Sequence, residues 1–322
     1  MLHQMHALPT RTTQNIKPFI AIDWGTSSFR AALITSNGDV IDELTTQRGI
    51  LGFKYHEFVP YLLATCERFM TTGGKMFLLS GMIGSKNGLL EVPYCPCPAT
   101  ASDIASALGW VDTGNTDFKI AIVPGIRHGF DDVMRGEETQ VFGASAVLGL
   151  QDATLVLPGT HSKWVQLKDG AIIKFNTFMT GEFYALLAQQ SILAKSLPEA
   201  SGAAVALDTA AFLQGIDRAQ TSHVSSHASS QGLLGTAFST RVKSLFNELQ
   251  PAQAASYLSG LVIGDELAAM RLPVGSQVIV IGSPTLCERY NLALNHLGIQ
   301  TRAIGNQAAW AGLHSIYGQI SV

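Results

Sequence analysis

The chain has 322 residues, 47% hydrophobic and 14% charged, with a formal net charge of -3. At about 100–200 residues per domain, this length predicts two domains, each able to bury its own core. The near-neutral balance excludes the electrostatic footprint of a nucleic-acid or anionic-membrane binder, and the high apolar fraction excludes disorder. Apolar runs such as Phe19–Ile22 and Val278–Ile281 are short. A spanning helix needs roughly 20 apolar residues, so no membrane segment is expected. Residues 1–17 carry His3, His6, Arg11 and Lys17 but no apolar stretch of signal-peptide length. Residues 1–18 are expected to form a flexible extension.

Strands are expected at Phe19–Trp24, Phe29–Thr35 and Val40–Thr45, separated by Gly25-Thr26-Ser27 and by the hairpin dipeptide Asn37-Gly38. A helical stretch at Glu57–Phe69 and a strand at Met76–Ser80 lead into the glycine-rich loop Gly81–Gly88. Strand Lys119–Val123, Pro124-Gly125 and a helix at Glu137–Leu150 complete a first unit, residues 19–150. The second unit, 151–322, opens with strands Leu155–Leu157, Lys163–Leu167 and Ile172–Phe178, with Asp169-Gly170 as the second hairpin turn. Helices follow at Glu182–Lys195, Asp208–Arg218, Thr236–Glu248 and Ala252–Met270. The end of the chain reads strand Gln277–Ile281, helix Pro284–Leu297, strand Thr301–Ile304, helix Gln307–Tyr317.

The start of the second unit repeats the start of the first. Residues Gly25–Leu33 and Gly159–Leu167 share Gly, Thr, Ser and Leu at their first, second, fourth and last places, a constant offset of 134 residues. Each copy leaves an apolar strand, turns, and enters a second strand. This pattern points to a duplicated unit and two similar domains facing a cleft.

A glycine turn lets backbone N–H groups approach an oxyanion, and a following Thr or Ser adds a hydroxyl donor. Two such turns on facing domains can clamp a polyphosphate. Asp23 precedes the first turn and is placed to hold Mg²⁺ directly or through water. Arg30 and Lys163 supply cations beside the turns. Each feature alone also reads as an ordinary tight turn with surface charge. Cys66, Cys95, Cys97 and Cys287 form no paired CxxC spacing, which predicts a reducing cytoplasm rather than a disulfide scaffold. His223 and His227 have i, i+4 spacing but lie in a Ser-rich stretch, Ser222–Ser230, that reads as a loop and lacks the Glu of a zinc helix. No P-loop, GxGxxG or GxSxG motif occurs.

The segment Phe19-Ile-Ala-Ile-Asp-Trp-Gly-Thr-Ser-Ser-Phe-Arg30 resembles the first phosphate motif of the sugar kinase/Hsp70/actin superfamily. Ser80–Ser85, Pro93–Pro98, Arg135–Gln140, Leu157–Trp164, Phe178–Glu182, Ser256–Gly264 and Ile281–Pro284, the last leading to Arg289-Tyr290, narrow the match. With these segments the chain resembles the 2-dehydro-3-deoxygalactonokinase family over nearly all of its length after residue 18. The resemblance implies an α/β, two-domain, ribonuclease-H-like fold of actin/hexokinase type with a cleft between domains. It also implies transfer of the γ-phosphoryl of ATP to the 6-hydroxyl of 2-dehydro-3-deoxy-D-galactonate, with Mg²⁺, in galactonate catabolism. Asp23, Gly25, Thr26, Ser27 and Arg30 match the first phosphate turn, and Gly159, Thr160, His161, Ser162 and Lys163 the second. Gly282 and Ser283 match the adenosine position, where related kinases often carry Gly-Gly.

In related kinases an Asp opens a helix before the second turn and takes the proton of the attacking hydroxyl. That place falls near Gly136 here, so the candidate bases are Glu137, then Asp132, then Glu138; helix capping is the competing reading of all three. The substrate's carboxylate needs donors. Ser80, Gly81, Ser85 and Lys86 of one loop, or the helix start Thr180-Gly181-Glu182, could supply them. Arg127 and His128 read as a surface loop at the rim. Two alternatives stay open: a kinase for another 2-keto-3-deoxy acid, such as the gluconate epimer, and a non-catalytic nucleotide sensor or filament subunit of the same fold. Small residues Ser256, Ser259, Gly260 and Gly264 suit either internal helix packing or a homodimer.

Overall fold

The computed structural model describes residues 17–198, 206–224, 232–305 and 307–320. Its first half runs β1 (Phe19–Trp24), β2 (Phe29–Ile34), β3 (Val40–Thr46), α1 (Phe58–Thr65), α2 (Glu67–Thr71), β4 (Met76–Ser80), β5 (Cys95–Pro96) and α3 (Ala101–Ser106). It continues through β6 (Gly109–Val111), β7 (Lys119–Ile122), β8 (Ile126–His128), β9 (Asp132–Met134) and α4 (Glu137–Leu148). The second half runs β10 (Ala153–Leu157), β11 (Ser162–Lys168), β12 (Ala171–Phe178), α5 (Thr180–Gln190), α6 (Thr209–Val224), α7 (Gly232–Thr236) and α8 (Ser239–Leu245). It ends with α9 (Pro251–Met270), β13 (Gln277–Ile281), α10 (Pro284–His296), β14 (Gln300–Ile304) and α11 (Gln307–Tyr317).

The duplication is structural. One sheet has the order β3-β2-β1-β4-β7-β6 and the other β12-β11-β10-β13-β14. In both, an antiparallel three-strand meander is extended by parallel strands on its first member. The repeated turns occupy equivalent places, between β1 and β2 and between β10 and β11. Asn37-Gly38 and Asp169-Gly170 make the two hairpin turns, Gly38, Asp169 and Gly170 with the positive φ that such turns require.

The central strands β1, β4 and β13 are near-continuous apolar runs because both of their faces are covered, whereas β3 and β14 are more polar and largely exposed. Phe19, Ala21 and Leu78 of one sheet share a core cluster with Leu155, Val165 and Ile279 of the other, joined through α4 and α11. These two helices cross at glycines: a Cβ on Gly143 would lie 1.7 Å from the Ala308 carbonyl oxygen, and one on Gly312 1.7 Å from that of Thr139. α9 buries most of its length, and its small residues are used inside the chain. Gly260 and Gly264 face α6, Ser256 accepts from the Asp208 amide, and Ser259 accepts from Arg289.

Several elements differ from expectation. The stretch expected as one helix from Glu57 breaks at Cys66 into α1 and α2. α5 starts at Thr180, two residues early, and stops at Gln190, with a 3-10 turn at Ile192–Ser196. α6 runs on to Val224, so Ser222 and His223 belong to a helix rather than a loop, while His227 lies outside the described residues. Arg127 and His128 form β8 of a small sheet, β5-β8-β9, instead of a surface loop. That sheet joins segments remote in sequence, and its strands of two or three residues are too short to show a period of two.

Candidate active site

The first turn closes through the Gly25 amide, which donates to the Ser28 carbonyl at 2.9 Å. The segment after β3 braces it. The Ile50 amide donates to the Gly25 carbonyl at 3.0 Å, and a Cβ on Gly49 would meet the Thr26 carbonyl at 2.2 Å. Asp23 and Arg30 are register partners on β1 and β2, and their side chains form an ion pair. The Arg30 guanidinium also lies 5.5 Å from the Trp310 ring of α11. Asp23 Oδ2 is therefore engaged by Arg30, while Oδ1 accepts no hydrogen bond among the described residues.

Across from this turn lies the second. The start of α5 rests directly on it: a Cβ on Gly181 would meet the Gly159 carbonyl at 2.5 Å, and the Glu182 amide donates to the Thr160 carbonyl at 3.0 Å. His161 and Glu182 pair at 2.6 Å at the surface.

Between the turns is a cleft of about 440 Å³. It brings together Asp23, Gly25, Gly81, Glu137, Gly159, Thr160, His161, Gly282 and Ser283 of the residues expected from sequence. Gly81 and Gly136 make the floor possible. Both have positive φ, and a Cβ on Gly81 would lie 2.8 Å from the Trp24 carbonyl oxygen.

Other expected residues sit elsewhere. Thr26 and Ser27 are exposed on the turn, and Lys86 is exposed on the loop Gly81–Gly88. Ser80 is buried, with its Oγ 3.3 Å from that of Thr139, and Ser85 Oγ is buried without a partner among the described residues. Lys163 is buried, and its Nζ donates to the Val133 carbonyl at 2.8 Å and to Thr177 Oγ1 at 2.7 Å. Asp132 accepts from the Thr177 amide at 2.6 Å and from its hydroxyl at 2.5 Å. Ser162 bonds the Tyr290 hydroxyl, and Thr180 donates to Glu266.

Of the three carboxylates offered as base, only Glu137 lines the cleft. Its Oε2 accepts from the Arg135 amide at 3.0 Å. Burial raises its pKa, and the nearby Lys163 charge opposes that rise. Glu138 is fully buried, and its Oε2 caps the Gly136 amide at 2.7 Å. Burial, reinforced by Glu137, pushes its pKa up to about 8.

Sequence reasoning gave Arg135 no role of its own. It lies at the cleft wall, 9% exposed, with its guanidinium 4.3 Å from the Tyr94 ring. Nη2 donates to the Val92 carbonyl at 2.7 Å, while Nε and Nη1 have no partner and no carboxylate pairs with it among the described residues. A charged residue between apolar Met134 and Gly136 was the available signal.

A family model described as 2-keto-3-deoxy-galactonokinase matches residues 23–316. The chain belongs to this family. It is 35% identical over 303 residues to a Rhizobium meliloti (strain 1021) protein named "Probable 2-dehydro-3-deoxygalactonokinase DgoK1", covering 92% of this chain and 95% of the relative. It is 34% identical over 307 residues to the 2-dehydro-3-deoxygalactonokinase of Escherichia coli (strain K12), covering 92% and 97%. A crystal structure from Sinorhizobium meliloti, assigned as a 2-dehydro-3-deoxygalactonokinase, superposes with a TM-score of 0.79 at 32% identity, covering 92% and 97%. The family match starts at Asp23, in the cleft, and ends within α11. The duplicated sheets are those of the ribonuclease-H-like, actin/hexokinase-type fold.

Proposed function

We propose that this chain is an ATP-dependent sugar-acid kinase that phosphorylates 2-dehydro-3-deoxy-D-galactonate at its 6-hydroxyl, giving the 6-phosphate and ADP. The observation that carries the reading is the meeting of both glycine turns, Gly282-Ser283, Asp23 and Glu137 in one cleft, within a chain of this family. Residues 19–150 and 151–322 act as the two kinase domains, the first carrying the substrate loop and the second the adenosine position.

The turns suit a polyphosphate because Gly25 of the first and Gly159, Thr160 and His161 of the second line one cleft. No group of three or more His, Cys, Asp or Glu side chains suited to a metal occurs among the described residues. A single free oxygen, Asp23 Oδ1, therefore fits Mg²⁺ better than a metal held in a protein cage. Mg²⁺ keeps water and substrate phosphates in its shell and takes few protein ligands. When bound, the ion would neutralise charge on the phosphates. Glu137 is the proton acceptor for the attacking hydroxyl, its base strength raised by burial. Arg135 is the countercharge for the substrate carboxylate, since it lines the cleft and two of its guanidinium nitrogens have no hydrogen-bond partner among the described residues. Thr26, Ser27, Arg30, Ser162 and Lys163 shape and support the turns; Ser80 and Ser85 do the same for the substrate loop. Free cysteines and a need for ATP support a cytoplasmic reaction.

The test is ADP release with Mg·ATP and 2-keto-3-deoxygalactonate, 2-keto-3-deoxygluconate or no sugar acid. Stimulation by the galactonate acid alone is the expected outcome. Stimulation by the gluconate acid alone would correct the substrate, and ADP release indifferent to both would overturn the kinase reading.

A further inference from the structure

One buried carboxylate takes no part in the chemistry above. Glu266 of α9 is 2% exposed, in a helix whose neighbouring positions are almost all apolar or small. Burying a carboxylate is costly unless its lone pairs are filled. Both its oxygens are filled. Oε1 accepts from the Trp164 indole N–H at 2.6 Å, and Oε2 accepts from the Tyr290 hydroxyl at 2.8 Å and from the Thr180 hydroxyl. Because the Tyr290 O–H is donated to Glu266, its oxygen is left to accept from Ser162 Oγ, 2.8 Å away.

The positions of these donors give the network a direction. Ser162 and Trp164 stand on β11, immediately after the second phosphate turn. Thr180 is the first residue of α5, which rests on that turn through Gly181 and Glu182. Tyr290 is on α10, whose start carries Leu286 into the cleft wall. Three elements that frame one turn thus converge on one anion reaching in from a fourth. An acceptor-only group facing three donors also fixes which way each hydroxyl points.

We infer that Glu266 is a positioning residue, which acts through Trp164, Thr180 and Tyr290 to hold the second turn in the shape that receives the nucleotide phosphates. The inference rests on the kinase reading for the identity of the ligand. Phosphate donors must be fixed to better than an ångström to act. A side chain that pins both the exit of the turn and the helix lying on it meets that need.

Glu266→Gln tests this in the full-length chain, because the amide turns one acceptor into a donor facing another donor. Tyr290→Phe is the second variant. It keeps the ring and removes the hydroxyl that links Glu266 to Ser162, so it serves if the first does not fold. ADP affinity is measured calorimetrically without sugar acid, followed by the KM of each substrate. The expected result is at least a tenfold loss of ADP affinity and a matching rise in KM for Mg·ATP. The KM for the sugar acid stays within twofold. Unchanged ADP affinity in a folded variant, or a loss of active fraction with both KM values intact, would reduce Glu266 to a core-stability role and overturn the inference. A parent chain that binds ADP but turns over no sugar acid would sink the kinase reading alone, leaving the variants' ADP affinities to decide on Glu266.

Discussion

Glu137, Glu138 and Asp132 share one short stretch of chain, and their surroundings divide the work among them. Asp132 is bound to Thr177, Glu138 is sealed under Gly136, and Glu137 alone opens on the cleft. Glu137→Gln keeps the size of the side chain and removes its basicity. The kcat is expected to fall roughly 10²–10⁴-fold with ATP affinity retained. An unchanged kcat would return the proton to solvent, since phosphoryl transfer rests mainly on positioning and charge. Arg135 makes a separate prediction. Arg135→Met keeps an unbranched side chain beside Tyr94 but removes the guanidinium and its charge, and the KM for the sugar acid is expected to rise about 10–100-fold, the worth of one charge-assisted hydrogen bond. A KM for ATP that rises equally would show that the guanidinium serves the nucleotide instead.

At the scale of elements, the duplicated strand–turn–strand units were legible because their signals are local. Asn37-Gly38, Asp169-Gly170 and the two Gly-Thr turns each declare themselves within a few residues. What stayed hidden is nonlocal. Arg30 reads as a phosphate cation until β1 and β2 pair it with Asp23, and Lys163 reads as one until β9 supplies the Val133 carbonyl. The Glu266 network joins side chains 24 to 128 residues apart, and its trace in sequence is the acid pair Asp265-Glu266 in a largely apolar or small-residue helix. The α4–α11 crossing is equally silent, since glycines 143 and 312 carry no pattern of their own. Their contact couples two parts of the site, because α4 begins at Glu137 and α11 carries Trp310 against Arg30. Gly312→Ala forces the helix backbones apart and is expected to cost about 1–3 kcal/mol. A lowered Tm together with a lowered kcat would be the signature; a Tm and kcat equal to the parent's would show that the crossing tolerates a methyl group.

At the scale of the whole molecule, two of the contacts between the halves differ in chemistry. The α4–α11 crossing is apolar and tightly packed, whereas the second contact, between β9 and β12, is polar. There the Thr177 hydroxyl donates to Asp132 and accepts from Lys163, while Lys163 also holds the Val133 carbonyl. One hydroxyl thus stands between a carboxylate of the first half and an ammonium of the second. The cleft takes its walls from both halves, and this contact is one of those that join them. Thr177→Val keeps the β-branched shape on β12 and deletes the hydroxyl, leaving Lys163 one acceptor short in a buried place. The expected cost is about 1–3 kcal/mol, read as a fall in Tm of a few degrees. If the contact sets the cleft width, the KM values for ATP and for the sugar acid rise together, as each loses the wall supplied by the opposite half. A lower Tm with both KM values unchanged would leave the contact as a stabilising one only, and the geometry of the cleft would then rest on the other contacts between the halves, the α4–α11 crossing among them.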